Sequence, residues 1–210
     1  MLILATDRET TKRLAVPLTD RGILLFTCPL ETAQFLCDKK DTGGVIVDCL
    51  PCHSVGAALC ASLRRLYPNL PIAAIASAPI LACNRILPES SDEDERIAEA
   101  ECFARELCGV PSALSTYALT ADPATRAVQY LGYLIKLSPT EFRLLYCLFY
   151  RSPRPTTADD LLSLCYHNGP RTVSNVTVQI HRINQKAVRI DPRPLIVCTT
   201  DGYRLRDGIL

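Results

Sequence analysis

The chain has 210 residues, 48% hydrophobic and 21% charged, a balance that excludes a disordered or fibrous protein. No apolar run approaches the roughly 18 residues that span a bilayer, and the start, MLILATDRETTKR, turns charged too early for a secretory signal, so a soluble cytoplasmic protein without a membrane partner is expected, long enough for two cores. The net charge of +1 conceals a division: residues 1–123 carry 11 Lys+Arg against 16 Asp+Glu (net −5), and residues 124–210 carry 12 against 6 (net +6), which points the second half toward a polyanion.

From the N-terminus, apolar strands alternate with helical stretches: LILAT, a helix to about Arg21, ILLFT, a helix to Lys39, VIVDC, a helix from about Val55 to Tyr67, PIAAIAS, and a short fifth strand from Asn84 to Leu87. Near-continuous apolar strands joined by helices predict a parallel sheet covered on both faces, an α/β doubly wound, flavodoxin-like domain over residues 1–109. Only APILAC separates Ser77 from Asn84, too little for a helix and its loops, and the helix that follows opens at Ser91-Asp92-Glu93-Asp94 and ends near Gly109.

Eleven cysteines in a protein without a signal segment read as reduced, mostly buried thiols; Cys37, Cys60, Cys102, Cys147 and Cys165 sit within apolar patterns. Cys49-Leu50-Pro51-Cys52-His53 also has dithiol spacing at a helix start, where a dipole favours thiolate. Cys49 and Cys52 are therefore a candidate redox pair, and a thioredoxin-like site is the enzymatic alternative. His53 and His167 read as surface residues rather than metal ligands.

In the second half, over residues 113–210, TYALT, AVQYLG and YLIKL are separated by the turn signals Asp122-Pro123 and Gly132, which predicts a small antiparallel sheet. Ser138-Pro139-Thr140-Glu141 is a capping box with proline at the first helical position; its helix stops at Pro153. A second helix follows Thr157, from about Ala158 to Cys165 with Leu161, Leu162 and Cys165 inward. After the turn His167-Asn168-Gly169-Pro170, a third runs from about Val173 to Ile190 with Val173, Val176, Ile180, Ile183 and Ala187 on one face. Its other face holds hydrogen-bonding and cationic groups but no carboxylate. LIVCTTDGYRL closes the chain as a hairpin. Sheet, three helices and hairpin is the order of a winged helix-turn-helix, an α+β domain whose third helix enters the major groove.

The run LTADPATRAVQYLGYLIKLSPTEFRLL, the segment NVTVQIHRINQK and the ending TTDGYRL resemble the platform, recognition helix and wing of OmpR/PhoB response regulators. The resemblance implies a non-enzymatic, cofactor-free transcription regulator of double-stranded DNA, acting in part through RNA polymerase. It places base reading on Thr177, Val178 and Arg182, phosphate contacts on Ser174, Gln179, His181 and Asn184, and further DNA contacts on Lys186 and Thr199. Arg182 is the strongest of these, since arginine can grip guanine with two hydrogen bonds; a solvated helix charge is its alternative. Thr199 and Thr200 stand where the family's wing has Arg-Gly, so fewer phosphate contacts are expected and dimerisation matters more.

The first half resembles a receiver domain that has lost parts. Such a domain holds Mg²⁺ with an acidic pair and a phosphoaccepting Asp, because a hard cation needs several oxygen ligands. Here Thr6-Asp7 leaves Asp7 alone of the pair, Asp48 stands at the acceptor position, Ser77 is one residue out of register for the switch hydroxyl, and Pro88 lacks the family's preceding lysine. The resemblance thus implies an atypical receiver regulated without phosphorylation, without a metal, and homodimeric around the rebuilt helix from Asp92 to Cys108. A redox-responsive regulator and a protein-binding winged helix are the alternatives.

Overall fold

Strands β1 (Leu2–Ala5), β2 (Leu25–Cys28), β3 (Gly44–Asp48), β4 (Ile72–Ile75) and β5 (Arg85–Leu87) form one sheet in the order β2-β1-β3-β4-β5, every pair parallel. This computed structural model describes residues 1–39, 42–89, 92–166 and 172–209, and they divide into two units, Met1–Leu18 with Ile23–Val110 and Thr19–Gly22 with Pro111–Leu210.

The sheet of the first unit is covered on both faces, as its apolar strands require. Alternate residues go to opposite sides: Leu2, Leu4 and Ile46 meet Ile97 and Phe103 of helix α5 (Glu93–Glu106), while Ile3, Val45 and Val47 meet Cys60 and Leu63 of α4 (His53–Leu66). This is the expected doubly wound, flavodoxin-like order. Three boundaries differ from expectation. The predicted helix to Arg21 is two short ones, α1 (Glu9–Lys12) and α2 (Ala15–Asp20); Pro17 lacks an N–H and crowds the preceding turn, so a continuous helix is broken there. The helix before β3 begins with a 3₁₀ turn, Leu30–Thr32, ahead of α3 (Ala33–Lys39). Helix α4 starts at His53 rather than Val55. Asp92 is the N-cap of α5, its carboxylate accepting from the Asp94 amide at 2.9 Å; Ser91 lies outside the described residues.

In the second unit, β6 (Leu114–Ser115), β7 (Leu119–Asp122), β8 (Ala127–Tyr130) and β9 (Tyr133–Ile135) make an antiparallel sheet in sequence order. Helix α6 (Pro139–Arg151) opens with the predicted reciprocal capping box, Glu141 N to Ser138 Oγ at 3.3 Å and Ser138 N to a Glu141 carboxylate oxygen at 2.6 Å. Thr157 caps α7 (Ala158–Cys165). The recognition-helix candidate, α8, covers Val173–Ala187 and ends short of Ile190. Asp191 precedes Pro192, which disfavours helical geometry there. Val173, expected inward, is 49% exposed in the first turn, whereas Val176, Ile180, Ile183 and Ala187 are buried. The turn at 167–170 lies outside the described residues.

The chain ends in the hairpin β10 (Ile196–Thr199) and β11 (Gly202–Leu205). A β-bridge joins Thr156 to Tyr203, and at Gly202, whose φ is +127°, an added Cβ would lie 2.3 Å from the Thr156 carbonyl oxygen. Glycine alone fits this approach of wing to helix-connecting segment. Buried Tyr130 donates to Asp191 at 3.0 Å, and Arg206 reaches both at 2.7 and 2.8 Å, so a buried polar network holds the sheet to the loop after α8.

Candidate nucleic-acid interface

Packing decides which side of α8 faces outward: its apolar stripe is buried, and Ser174, Thr177, Val178, His181, Arg182 and Gln185 remain exposed. The first turn holds no acidic side chain and Thr172 provides no side-chain cap, so the turn's amides and the positive end of the helix dipole stay open to an anion. His181, Arg182 and Arg189 are exposed and have no intramolecular partner among the described residues.

The remaining predicted residues are placed differently. The hydroxyls of Thr177 and Tyr203 share a hydrogen bond at 3.1 Å, tying α8 to the closing hairpin. The Ser174 and Thr172 hydroxyls pair at 3.0 Å. Gln179 is half-buried, with its side-chain oxygen unpartnered. Thr199 donates to the Gly202 carbonyl at 3.0 Å across the wing turn.

Asn184 and Lys186 work inside the domain. The Asn184 amide donates to the Ile196 carbonyl at 2.8 Å and accepts from the Ile196 amide at 2.9 Å, so it pairs with β10 as a strand would. Lys186 Nζ lies 2.6 Å from buried Glu141, the capping-box residue of α6. Burial pushes the Glu141 carboxyl up, but Lys186 and the Ser138 amide outweigh it and hold the group below its ordinary range. Sequence reading placed both side chains on the outward face because their partners are far along the chain. It also missed Tyr203, whose only signal was its place beside the wing glycine.

At the C-terminal end of the parallel sheet, Asp48 is fully buried and saturated with donors. It accepts from Thr6 Oγ1 at 2.7 Å, Thr11 Oγ1 at 2.8 Å, Arg8 Nε at 2.8 Å and Nη2 at 3.1 Å, and the Leu50 amide at 3.2 Å. Asp7 is exposed and contributes no atom. A divalent cation needs oxygen ligands converging on it; here a guanidinium faces the carboxylate and the neighbouring oxygens are hydroxyls already donating to it. This donor set does not fit Mg²⁺. Ser77 is exposed.

Cys49 is buried with its thiol toward Cys60, and Cys52 is exposed beside Ser54 Oγ at 3.3 Å. Of the thiols expected to be buried, Cys60, Cys147 and Cys165 are, while Cys37 and Cys102 are half-buried. His53 is exposed, and His167 lies outside the described residues.

Residues 132–205, from the β8–β9 turn through the wing, match the family model described as "Transcriptional regulatory protein, C terminal". These residues fall in the second unit, whose sheet, three helices and closing hairpin have the winged-helix order. No curated protein matches the chain. Among solved structures it is similar to the response regulator DrrB of Thermotoga maritima, an OmpR/PhoB homologue (19% identity, 97% of each chain, TM-score 0.43). The chain is also similar to the C-terminal DNA-binding domain of RstA from Klebsiella pneumoniae (26% identity, 47% of this chain and 92% of that one, TM-score 0.41) and to the DNA-binding domain of CpxR from E. coli (22%, 45% and 96%, TM-score 0.39). Among the described residues, no helix is long and apolar enough to cross a membrane.

Proposed function

We propose that this regulator binds double-stranded DNA sequence-specifically through α8, as a homodimer paired by its receiver-like unit, and does so without aspartyl phosphorylation. The observation that carries the reading is the state of Arg182: exposed, mid-helix on an acid-free face, and without an intramolecular partner. Ordering such a side chain against its own protein gains little, whereas a guanine edge offers it two acceptors. Val178, 48% exposed on the same face, suits a thymine methyl, and Thr177, held by Tyr203, is set for a short polar contact. Ser174, Gln179, His181 and Thr199 are the phosphate-side contacts, to which the open first turn of α8 adds backbone amides. Asn184 and Lys186 leave this set because their polar groups are engaged.

Pairing of two copies follows from economy. One recognition helix reads only a few base pairs, and this wing turn has Thr199 and Thr200 where a basic residue would add a phosphate contact, so two half-sites are needed for useful affinity. Phosphorylation independence rests on Asp48, whose oxygens are occupied by donors of its own unit. RNA polymerase is the second partner of this reading.

The test is selection of genomic duplex fragments by the full-length protein, with and without an acyl-phosphate donor and Mg²⁺. Enrichment of a two-fold-symmetric or directly repeated site, unchanged by the phosphodonor, is expected. Enrichment that appears only with the phosphodonor would overturn the regulatory part, and no enrichment would overturn the DNA-reading part.

A further inference from the structure

Three thiols of the receiver-like unit meet on one face of its sheet. Cys60, on the inner side of α4, is fully buried in one apolar cluster with Cys49, just after β3, and Cys83, in the segment joining β4 to β5, packs against that cluster, so that both thiols neighbour the Cys60 thiol. Cys49 is buried as well, and Cys83 is the half-buried member at the edge of the same apolar cluster. One turn along α4 from Cys60, Arg64 donates Nε to the Ala82 carbonyl at 3.1 Å and Nη2 to the Asn84 side-chain oxygen at 2.5 Å. Its guanidinium therefore grips the chain on both sides of Cys83.

This arrangement separates two roles. The Cys60 hydrogen bond lowers the Cys83 pKa, burial opposes it, and the Arg64 charge lowers it further, for a net fall. Cys60 is driven the other way, by its thiol neighbours and by burial. The same Cys60 contact lowers the Cys49 pKa, but Cys49 is buried and Cys83 half-buried, so of these two sulfurs Cys83 is the one a reagent can reach. Cys52 is also exposed and its pKa is also lowered, by Ser54 and the amides of the α4 start, but the side chain its sulfur contacts is a hydroxyl rather than a thiol.

We propose that Cys83 and Cys60 form a hydroperoxide-reactive pair, with Cys83 the attacked thiol and Cys60 the one that resolves it to a disulfide. The Cys83 thiolate attacks one peroxide oxygen; the O–O bond breaks, water or the alcohol leaves after protonation, and Cys83 becomes a sulfenic acid. The Cys60 sulfur then attacks the Cys83 sulfur, its proton leaves with the hydroxide as water, and the S–S bond forms. Two electrons pass from the thiol pair to the peroxide. The product ties α4 to the β4–β5 connection, where the chain is too short for the helix a receiver has. This inference stands apart from the DNA reading and does not need it.

Its test is a peptide map of the full-length protein after brief exposure to hydrogen peroxide, with free thiols alkylated under denaturing conditions. A Cys60–Cys83 linked peptide, reversible by dithiothreitol, and loss of two alkylatable thiols at these positions are expected. Cys60→Ser should stop at Cys83 sulfenic acid, trapped by dimedone. If Cys60 and Cys83 both remain alkylatable after Cys52 is fully oxidised, or if Cys60 links to Cys49 instead, the proposal is overturned, and the wild-type map decides this even if a variant fails to fold.

Discussion

At the end of β3 the buried carboxylate of Asp48 takes five hydrogen bonds from Thr6, Thr11, Arg8 and Leu50, while on α8 the guanidinium of Arg182 takes no part in any intramolecular contact among the described residues. Both positions carry a charge that the chain could have avoided. In the receiver-like unit burial makes an unpaired charge costly, and the surrounding residues have converged on satisfying it. On α8 exposure makes an unpaired cation cheap to keep, and it stays available to a polyanion. A charge fully satisfied from within is structural; one left open on an acid-free face is the better guide to a partner.

The largest effect that could break this contrast is at Asp48. Replacing it with alanine orphans two buried threonine hydroxyls and a guanidinium that is 30% exposed, and should cost the first unit about 3–5 kcal/mol, as loss of one member of a buried ion pair does. Urea denaturation of the full chain reads this directly. A loss below about 1 kcal/mol, within the range of an exposed pair, would mean that the network is not structural. Lys186→Met comes next. With its Glu141 partner left buried, the winged helix should lose about 1–2 kcal/mol, while the salt dependence of duplex binding stays that of wild type. A salt slope reduced by about one unit would return Lys186 to the phosphate contacts.

The smallest effect is on acidity. The folded-state pKa values of Glu141 and Asp191 are both depressed, Glu141 by Lys186 and Ser138 against its burial, and Asp191 by Arg193 first and then Arg206. Their stabilisation is therefore fully present above the unfolded carboxyl range of about 4 and is lost as pH falls through the lower folded values. Chemical denaturation of the winged-helix transition should give a flat midpoint from neutrality to about pH 5 and a decline below about 4. A midpoint that rises on acidification would contradict these ion pairs.

The parts of the molecule legible in sequence are those whose causes are local. Ser138 and Glu141 cap α6 because three residues separate them, and the apolar strand runs announced a doubly covered sheet. What escaped depends on distant partners. Asn184 pairs with Ile196 and Lys186 with Glu141, and no helical pattern on α8 contains that information. The place of Arg8 was open to inference: once one metal carboxylate is replaced by Thr6, a buried Asp48 still requires a cation, and Arg8 is the nearest in sequence. The dithiol spacing of Cys49 and Cys52 says nothing of burial: position 49 faces inward from the sheet and position 52 is the N-cap of an exposed helix start.

Whether the open face of α8 reads a duplex is measured most directly by the dissociation constant of the full-length protein for a selected duplex and for a scrambled one, with wild type and Arg182→Ala compared at fixed salt. A loss of about 1–3 kcal/mol, or about 5- to 150-fold, is expected on the selected duplex and a much smaller loss on the scrambled one. Equal affinity of the two proteins for the selected duplex would contradict the DNA reading.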